Sequence, residues 1–402
     1  MPLENNVFPF LNLADLTTQY RLYTIRGLLK KPSQYHKNRQ NLIHRLSYKL
    51  KRAVTIIEFD DKPYLVVAAD APEPPSPYPI VQGVVYFEPT GGAMTLDYSL
   101  RTPQNDEICL RFLHFMVQSA LFEKAQLWQP SAGKPFFEKT PYQDFESILL
   151  FRGFSVRPVF TEGNGIGLCF DVQHKFVSRE PLPTYLTERA FQQYRGQHCI
   201  YHYGHQWYEI QLSELSDLNV TEVIVPDGNS PIPLLDYVIK KSKKPIPEDL
   251  ALIAQDASVV HYFNNQNEDR SCIAALCHPV LDNAAPAVKQ YHLYTILKPQ
   301  IRRAVIHELV KKYLTEIEFG DLKLKVGSTP ERVTQEIFVL PDYRFGNDYR
   351  LSVRGTEGAT GVSLEQVGQK RLELLSSQEA GVYVQEPFDR QYLLLPQTVG
   401  DS

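Results

Sequence analysis

No apolar run in this sequence lasts long: stretches such as Tyr64 to Ala69 meet a charge or a proline within ten residues. A bilayer span needs roughly 18 consecutive apolar residues, so no membrane span is expected. The same interruptions demand many short elements. A chain of 402 residues built this way divides into several modules, at about 150 residues or fewer apiece. Hydrophobic residues make 43% and charged residues 22%, the balance of a globular protein, and the glycines and prolines are too few for a low-complexity chain. The N-terminus MPLENNVFPFLNLADL carries two acids and no base before Arg21, which does not suit a secretory signal or a transit peptide. Five scattered cysteines, an odd number, fit a reducing compartment, so a cytoplasmic location is expected.

The net charge of -4 conceals a basic block: ten Lys/Arg and no Asp/Glu lie between Arg21 and Ile57. Such a block attracts phosphate, although a solvated helix face is the commoner meaning. Within it, Asn38 to Arg52 places Leu42, Leu46 and Leu50 at helical spacing, with Arg45, Lys49 and Arg52 on another face. Ala53 to Phe59 and Tyr64 to Ala69 read as strands joined by Asp60-Asp61-Lys62-Pro63. Five prolines within Ala71 to Pro79 predict an exposed loop. Ile80 to Glu88 and Ala93 to Ser99 suggest another strand pair around Gly91-Gly92. A helix follows, with Asn105 or Asp106 as its expected cap and Ile108, Phe112, Phe115, Met116 and Phe122 as core positions. Phe154 to Phe160 and Ile166 to Val177 flank Glu162-Gly163-Asn164-Gly165, a hairpin signal without the register of a nucleotide loop. A short helix near Leu234 and a second basic helix over Lys298 to Leu314, with Arg303, His307 and Lys311 in one row, complete a chain of class α+β.

The segment CIYHYGHQWYEI contains His198, Cys199, His202 and His205. On a strand His198 and His202 share one face while Cys199 points to the other, so metal binding is not expected. Cys272 and Cys277 read as core residues. No nucleophile elbow, P-loop or HExxH motif is present, and no catalytic residue is assigned. The density of Tyr, Trp and His around residues 201 to 208, beside Lys240-Lys241-Ser242-Lys243-Lys244, has two readings of equal weight. Aromatic faces and hydroxyls hold the end of a single nucleic-acid strand, and they equally furnish an ordinary half-buried sheet.

Several segments, in order, resemble the N-terminal half of an Argonaute protein. Phe136 to Leu186, with Gly153-Phe154-Ser155-Val156-Arg157-Pro158 and Phe170-Asp171-Val172, is similar to the family's first linker. The next block resembles a PAZ domain, an OB-like barrel with an inserted module. Trp207-Tyr208, Leu235-Asp236-Tyr237-Val238-Ile239 and Ile273-Ala274-Ala275-Leu276-Cys277 carry that match. The Arg302-Arg303 helix, Phe319 to Val326 and Leu340 to Gly346 resemble the second linker, and Tyr392 to Gln397 the first strand of a MID domain.

The resemblance implies an N-terminal α/β module over residues 1–110, a β-rich linker over 111–190, a PAZ-like domain over 191–285, a mixed linker over 286–390 and the start of a MID-like strand over 391–402. Tyr208 and Tyr237 would hold the terminal phosphate of a guide strand, with Trp207, His205, Lys240 and Lys241 as neighbours. The basic module, through Arg45, Lys49 and Arg52, would contact or block a guide–target duplex. The implied partners are a guide RNA or DNA bound at its 3′ end, a target strand and a MID-PIWI polypeptide, in a silencing or defence system. No cofactor and no metal are implied, and a nuclease activity would belong to the partner. Residues 191–285 hold six Lys/Arg against twelve Asp/Glu, which favours capture of one strand end over a broad phosphate track. The rival expectation is a structural subunit that scaffolds a MID-PIWI protein without touching nucleic acid.

Overall fold

The computed structural model describes residues 5–28, 32–80, 83–161, 165–203, 206–228, 230–242, 253–264, 268–283, 285–332, 342–352 and 366–382. It divides into two compact units, residues 4–332 and a smaller one formed by residues 333–402 with 1–3. The class is α+β.

In the larger unit an N-terminal sheet runs Val54–Phe59, Lys62–Ala68, Gln19–Arg26, Gly83–Pro89, Tyr78–Ile80, and every pair is antiparallel. The Asp60-Asp61 turn is tight, with φ of +48° and +56°, the left-handed pair that a two-residue hairpin needs. Helix Pro32–Leu50 lays Leu42, Leu46 and Leu50 on Ile56, Leu65, Val67 and Val85. Burial of each leucine contributes about 2 kcal/mol. Lys51, at φ +51°, turns the backbone out of the helix, so Arg52 lies beyond its end.

Three expectations are corrected. Gly83–Pro89 and Met94–Thr95 do not pair with each other; both pair with Gln19–Arg26. That strand buries Tyr20, Tyr23 and Ile25 at irregular spacing, with Arg21 and Arg26 among them, so no clean alternation marks it. The proline segment is not wholly exposed: Ala71 and Tyr78 are buried, and Tyr78–Ile80 is a strand at the sheet edge, where a missing proline N–H leaves no ladder bond unmade. The second long helix, Pro103–Phe122, is capped by Thr102, whose hydroxyl accepts from the Asn105 N–H at 3.3 Å. Asn105 instead spends its amide on the Asp97 and Leu100 carbonyls, at 2.7 and 2.8 Å.

Ile108, Phe112, Leu113, Met116, Val117 and Leu121 of this helix share one core with Phe154, Val156, Leu168 and Phe170 and with Leu309, Val310 and Tyr313. The latter three lie on helix Pro299–Tyr313. The middle four belong to the long hairpin Ile148–Phe160/Ile166–Ser178; its turn residues 162–164 lie outside the described residues. A Cβ at Gly153 would collide with the Phe136 carbonyl and the Phe137 ring, so glycine permits the close approach of Phe136–Glu138.

An eleven-stranded sheet carries this hairpin into the aromatic region. Ile166–Ser178 pairs with Cys277–Leu281, and the order continues through His198–Tyr203, Gln206–Asn219, Ser258–Phe263 and Asp269–Ile273. Cys199, Tyr201, Ile210, Leu212, Val259 and Cys272 form a separate core there. The hairpin Ile224–Asp227/Ser230–Pro233 and helix Leu234–Lys241 are inserted beside it. The smaller unit contains the strands Tyr343–Arg344 and Arg350–Leu351 and the helix Val367–Ser376, with Phe345, Leu351 and Ala380 buried. The expected strand at Tyr392 to Gln397 lies outside the described residues. Among the described residues no helix is long and apolar enough to cross a membrane.

Candidate nucleic-acid interface

Strand alternation puts Trp207 and Tyr208 on opposite faces of Gln206–Asn219. Tyr208 is paired with Tyr201, and Leu212 with Tyr262, so all four side chains share the face of the Tyr201 core. Tyr201 is buried there, whereas Tyr208 stands at the rim, 40% exposed. Helix Leu234–Lys241 anchors itself through buried Leu234 and Val238 and packs Tyr237 against the same core. Burial pushes the Tyr208 phenol pKa up, and the neighbouring Tyr48 and Tyr237 phenols push it further. The Tyr262 phenol is raised too, by burial first and then by Cys272, with Tyr208 among the smaller causes. At neutral pH Tyr208 and Tyr262 therefore keep their O–H donors, the form suited to an anionic oxygen. The structure thus brings Tyr208 and Tyr237 together, from elements about one helix and one hairpin apart in the chain.

Lys240 and Lys241, at the end of the same helix, both donate to Asp227 of the inserted hairpin, Lys241 at 3.3 Å. The Lys240 hydrogen bond first, then that of Lys241, holds the Asp227 carboxyl below the usual carboxylate range. Lys241 also lies 5.3 Å from the Tyr237 ring centroid. Lys241 is thus beside a phenol, and the one Asp227 carboxylate offsets half of the two lysines' charge. His205, Lys243 and Lys244 lie outside the described residues.

Trp207 is not part of this cluster. Its ring stacks on His202 at 4.1 Å and meets Trp128 at 5.6 Å and Phe151 at 5.7 Å. His202 in turn stacks on His278 at 4.3 Å. Burial, then His278, depresses the His202 pKa to about 3. The cavity lined by Trp207, Trp128, Gln129, Phe122, Leu127 and Phe136 is about 20 Å³, room for one water and far too small for a nucleotide. On this face the aromatic residues seal the joint between the Ile148–Phe160/Ile166–Ser178 hairpin and the His198–Tyr203 strand.

The basic helix contributes unevenly. Arg52 donates to Asp70 at 2.6 Å and lies 5.7 Å from the Phe319 ring, so it is tied down internally. Lys49 is exposed, 5.6 Å from the Tyr78 ring. Arg45 is half-buried, near enough to Tyr78 and to Glu268 to act on both. Sequence reasoning missed two members of the neighbourhood, Tyr48 and Tyr262. An aromatic three residues after Arg45, on the polar face of a helix, was the available signal for Tyr48.

His198 bonds Glu209 at 3.1 Å, and Cys199 is buried with its thiol pKa raised by burial. Cys272 and Cys277 are buried with their sulfurs 3.6 Å apart. Among the described residues no group of three or more His, Cys, Asp or Glu side chains is arranged to hold a metal ion. His307, of the basic row on Pro299–Tyr313, meets Phe8 edge-on at 5.7 Å.

No family model and no curated protein matches this sequence. Among solved structures, the chain is similar to Clostridium butyricum Argonaute bound to a guide DNA and a 19-mer target DNA, with 13% identity and a TM-score of 0.46 over 81% of this chain and 44% of that one. It is also similar to Drosophila Piwi, with 11% identity and a TM-score of 0.46 over 87% of this chain and 45% of that one. For A. aeolicus Argonaute the values are 12% identity and a TM-score of 0.44, over 87% and 47%. The chain spans about half the length of these structures.

Proposed function

We propose that this chain holds the 3′ end of a guide strand, RNA or DNA, in a PAZ-like pocket at the rim of the Tyr201 core, as a non-catalytic part of an Argonaute-type system. One observation carries the reading: Tyr208 and Tyr237, from a strand and an inserted helix, converge at one partly exposed rim. Two phenolic donors from separate elements can bond two oxygens of one terminal phosphate, which a single strand could not arrange. The module around the basic helix would lie along the guide–target duplex, with Arg45 and Lys49 as its phosphate contacts. Cleavage would belong to a MID-PIWI polypeptide acting with it.

A scaffold that touches no nucleic acid is the second reading. It is favoured by the internal pairing of Lys240, Lys241 and Arg52. The two part in a binding titration of fluorescent single strands of about 20 nucleotides, DNA and RNA, followed by anisotropy. Tyr208→Phe and Tyr237→Phe each remove one donor, at about 0.5 to 1.5 kcal/mol, or a two- to twelvefold loss of affinity. A folded double variant that binds as well as the parent sinks the pocket and leaves the scaffold.

A further inference from the structure

Strand Val54–Phe59 ends its sheet, so one edge of it is unpaired among the described strands. Helix Pro32–Leu50 packs toward one face of this strand, sharing a core with Ile56 through Leu42 and Leu46. Helix Pro103–Phe122 packs toward the other, sharing a core with Ile57 through Ile108 and Phe112. The two helices thus flank the free edge as the walls of a groove. The carbonyls along that edge are already taken: Val54 by the Arg111 Nε at 2.9 Å, Ile56 by the Arg39 Nε at 3.1 Å and Glu58 by the Gln104 amide at 3.2 Å. An added strand would find no free acceptor there.

What the groove does offer is a cation. Among the described residues Arg111 pairs with no carboxylate. Helix Pro32–Leu50 contains no acid. In the strand and the other helix, Glu107 is held by Arg39 and Thr55, Asp106 by Arg101 at 3.3 Å, and Glu58 stands at the far end of the strand from Val54. Two of the five Arg111 N–H groups are used, on Val54 and, across the groove, on the Ser47 hydroxyl at 3.1 Å. Its Nη1 has no partner and is not enclosed, so it meets solvent. His114, three residues after Arg111, and His44, three residues before Ser47, lie at the spacing of neighbours on one helix face. Burial first, then Arg111, lowers the pKa of both imidazoles, so each is neutral at pH 7 and keeps one N–H donor. Lys49, two residues after Ser47 and so nearly opposite it around the helix axis, lies against Tyr78 instead.

We propose that Arg111, held in place by Val54 and Ser47 and flanked by His44 and His114, binds one phosphate group, its forked guanidinium taking two of the oxygens. The group is a nucleic-acid backbone phosphate or a free phosphate. The site is independent of the phenol pocket.

The first probe is a fluorescent single strand of about 20 nucleotides and its duplex, titrated by anisotropy between about 50 and 300 mM KCl. Arg111→Gln should make the plot of log affinity against log salt shallower by about 0.7 for the single strand or 0.9 for the duplex, the loss of one phosphate contact. Arg111→Lys, which keeps the charge, should restore the parent slope. His44→Ala, at an exposed position where the fold is not at stake, should weaken binding about two- to twelvefold through one lost hydrogen bond and leave the slope alone. Arg26→Gln, at an exposed arginine of the N-terminal sheet, is the control. The second probe is inorganic phosphate. If the site takes a free phosphate, about 10 mM of it, against chloride at equal ionic strength, should raise the urea midpoint of the parent and not that of Arg111→Gln. A slope change peculiar to Arg111→Gln assigns the site to a strand, and the phosphate effect with an unchanged slope assigns it to a free phosphate. No phosphate effect peculiar to the parent, together with a slope unchanged or changed equally by Arg26→Gln, overturns it. The Tyr208→Phe/Tyr237→Phe variant should keep the parent slope, so failure of the pocket is read separately; if the parent binds no strand, the pocket falls and the phosphate arm alone decides this site.

Discussion

The two tryptophans of this chain meet in one aromatic cluster, their rings tilted 5.6 Å apart, and that makes the role of Trp207 separable from a ligand-binding one. Truncation by Trp207→Ala removes the 4.1 Å stack on His202 and the contacts at 5.6 and 5.7 Å with Trp128 and Phe151. Each aromatic pair contributes about 0.5 to 1.5 kcal/mol beyond its area. A fully buried tryptophan cut to alanine costs about 3 to 5 kcal/mol; Trp207 is half-buried, so about 2 to 4 kcal/mol is expected. Against a typical stability of roughly 5 to 15 kcal/mol this is a large fraction. Trp128 remains as the only indole in the variant and reports from the damaged cluster itself. A urea titration followed by its fluorescence should show the midpoint fall with the slope unchanged, while affinity for a single strand stays within about threefold of the parent once the protein is folded. A loss of stability under about 1 kcal/mol, together with a tenfold or greater loss of affinity, would refute the reasoning, since it would place the ring on the ligand.

Two further outcomes follow from the charges. Glu138 accepts from Lys312 at 2.6 Å and from Tyr313 at 2.9 Å, and faces Arg152 at 3.4 Å. Burial raises its pKa, but those partners outweigh it and the carboxyl is held below its usual range. Glu138→Gln leaves the Arg152 guanidinium, 14% exposed, with Glu308 at 3.6 Å as its one carboxylate among the described residues, so a loss of about 2 to 3 kcal/mol is expected in the same urea assay at pH 7; a loss under about 0.5 kcal/mol would show that the cluster contributes no more than a surface pair. The second outcome is acid sensitivity. Burial holds His202 at about 3, and His114 and His174 at about 4, so all three are neutral in the fold while the unfolded chain takes up protons below about 6.5. The unfolded state then binds more protons, and stability, full above that value, is lost as pH falls toward 4 and 3. At pH 5 the loss is about 1 to 2 kcal/mol for each imidazole; His202→Phe, which keeps the stack without the titration, should flatten part of the slope, and an unchanged slope would exclude His202 as a contributor.

What could be read from the chain alone was whatever its own neighbours decide. Leu42, Leu46 and Leu50 form a helix because they lie four residues apart, and Asp60-Asp61 forms a turn because the short polar aspartate side chain tolerates the left-handed backbone; the structure keeps both. Gln19–Arg26 was hidden because its inward residues are spaced unevenly among arginines, and its place at the centre of a sheet is set by Lys62–Ala68 and Gly83–Pro89 on either side. The site suffers from the same dependence on distant residues. Lys240 and Lys241 look like free cations until Asp227 is folded onto them across a hairpin. Trp207 and Tyr208 look like one aromatic patch until His202 and Tyr201 pair with them from the adjacent strand. That register decides everything at this site: a slip of one residue would turn Trp207 toward the rim and bury Tyr208 against Trp128 and Phe151. Composition could therefore mark the region as suited to a strand end or to a sheet with equal weight, because the sequence contains both answers, one on each face of Gln206–Asn219.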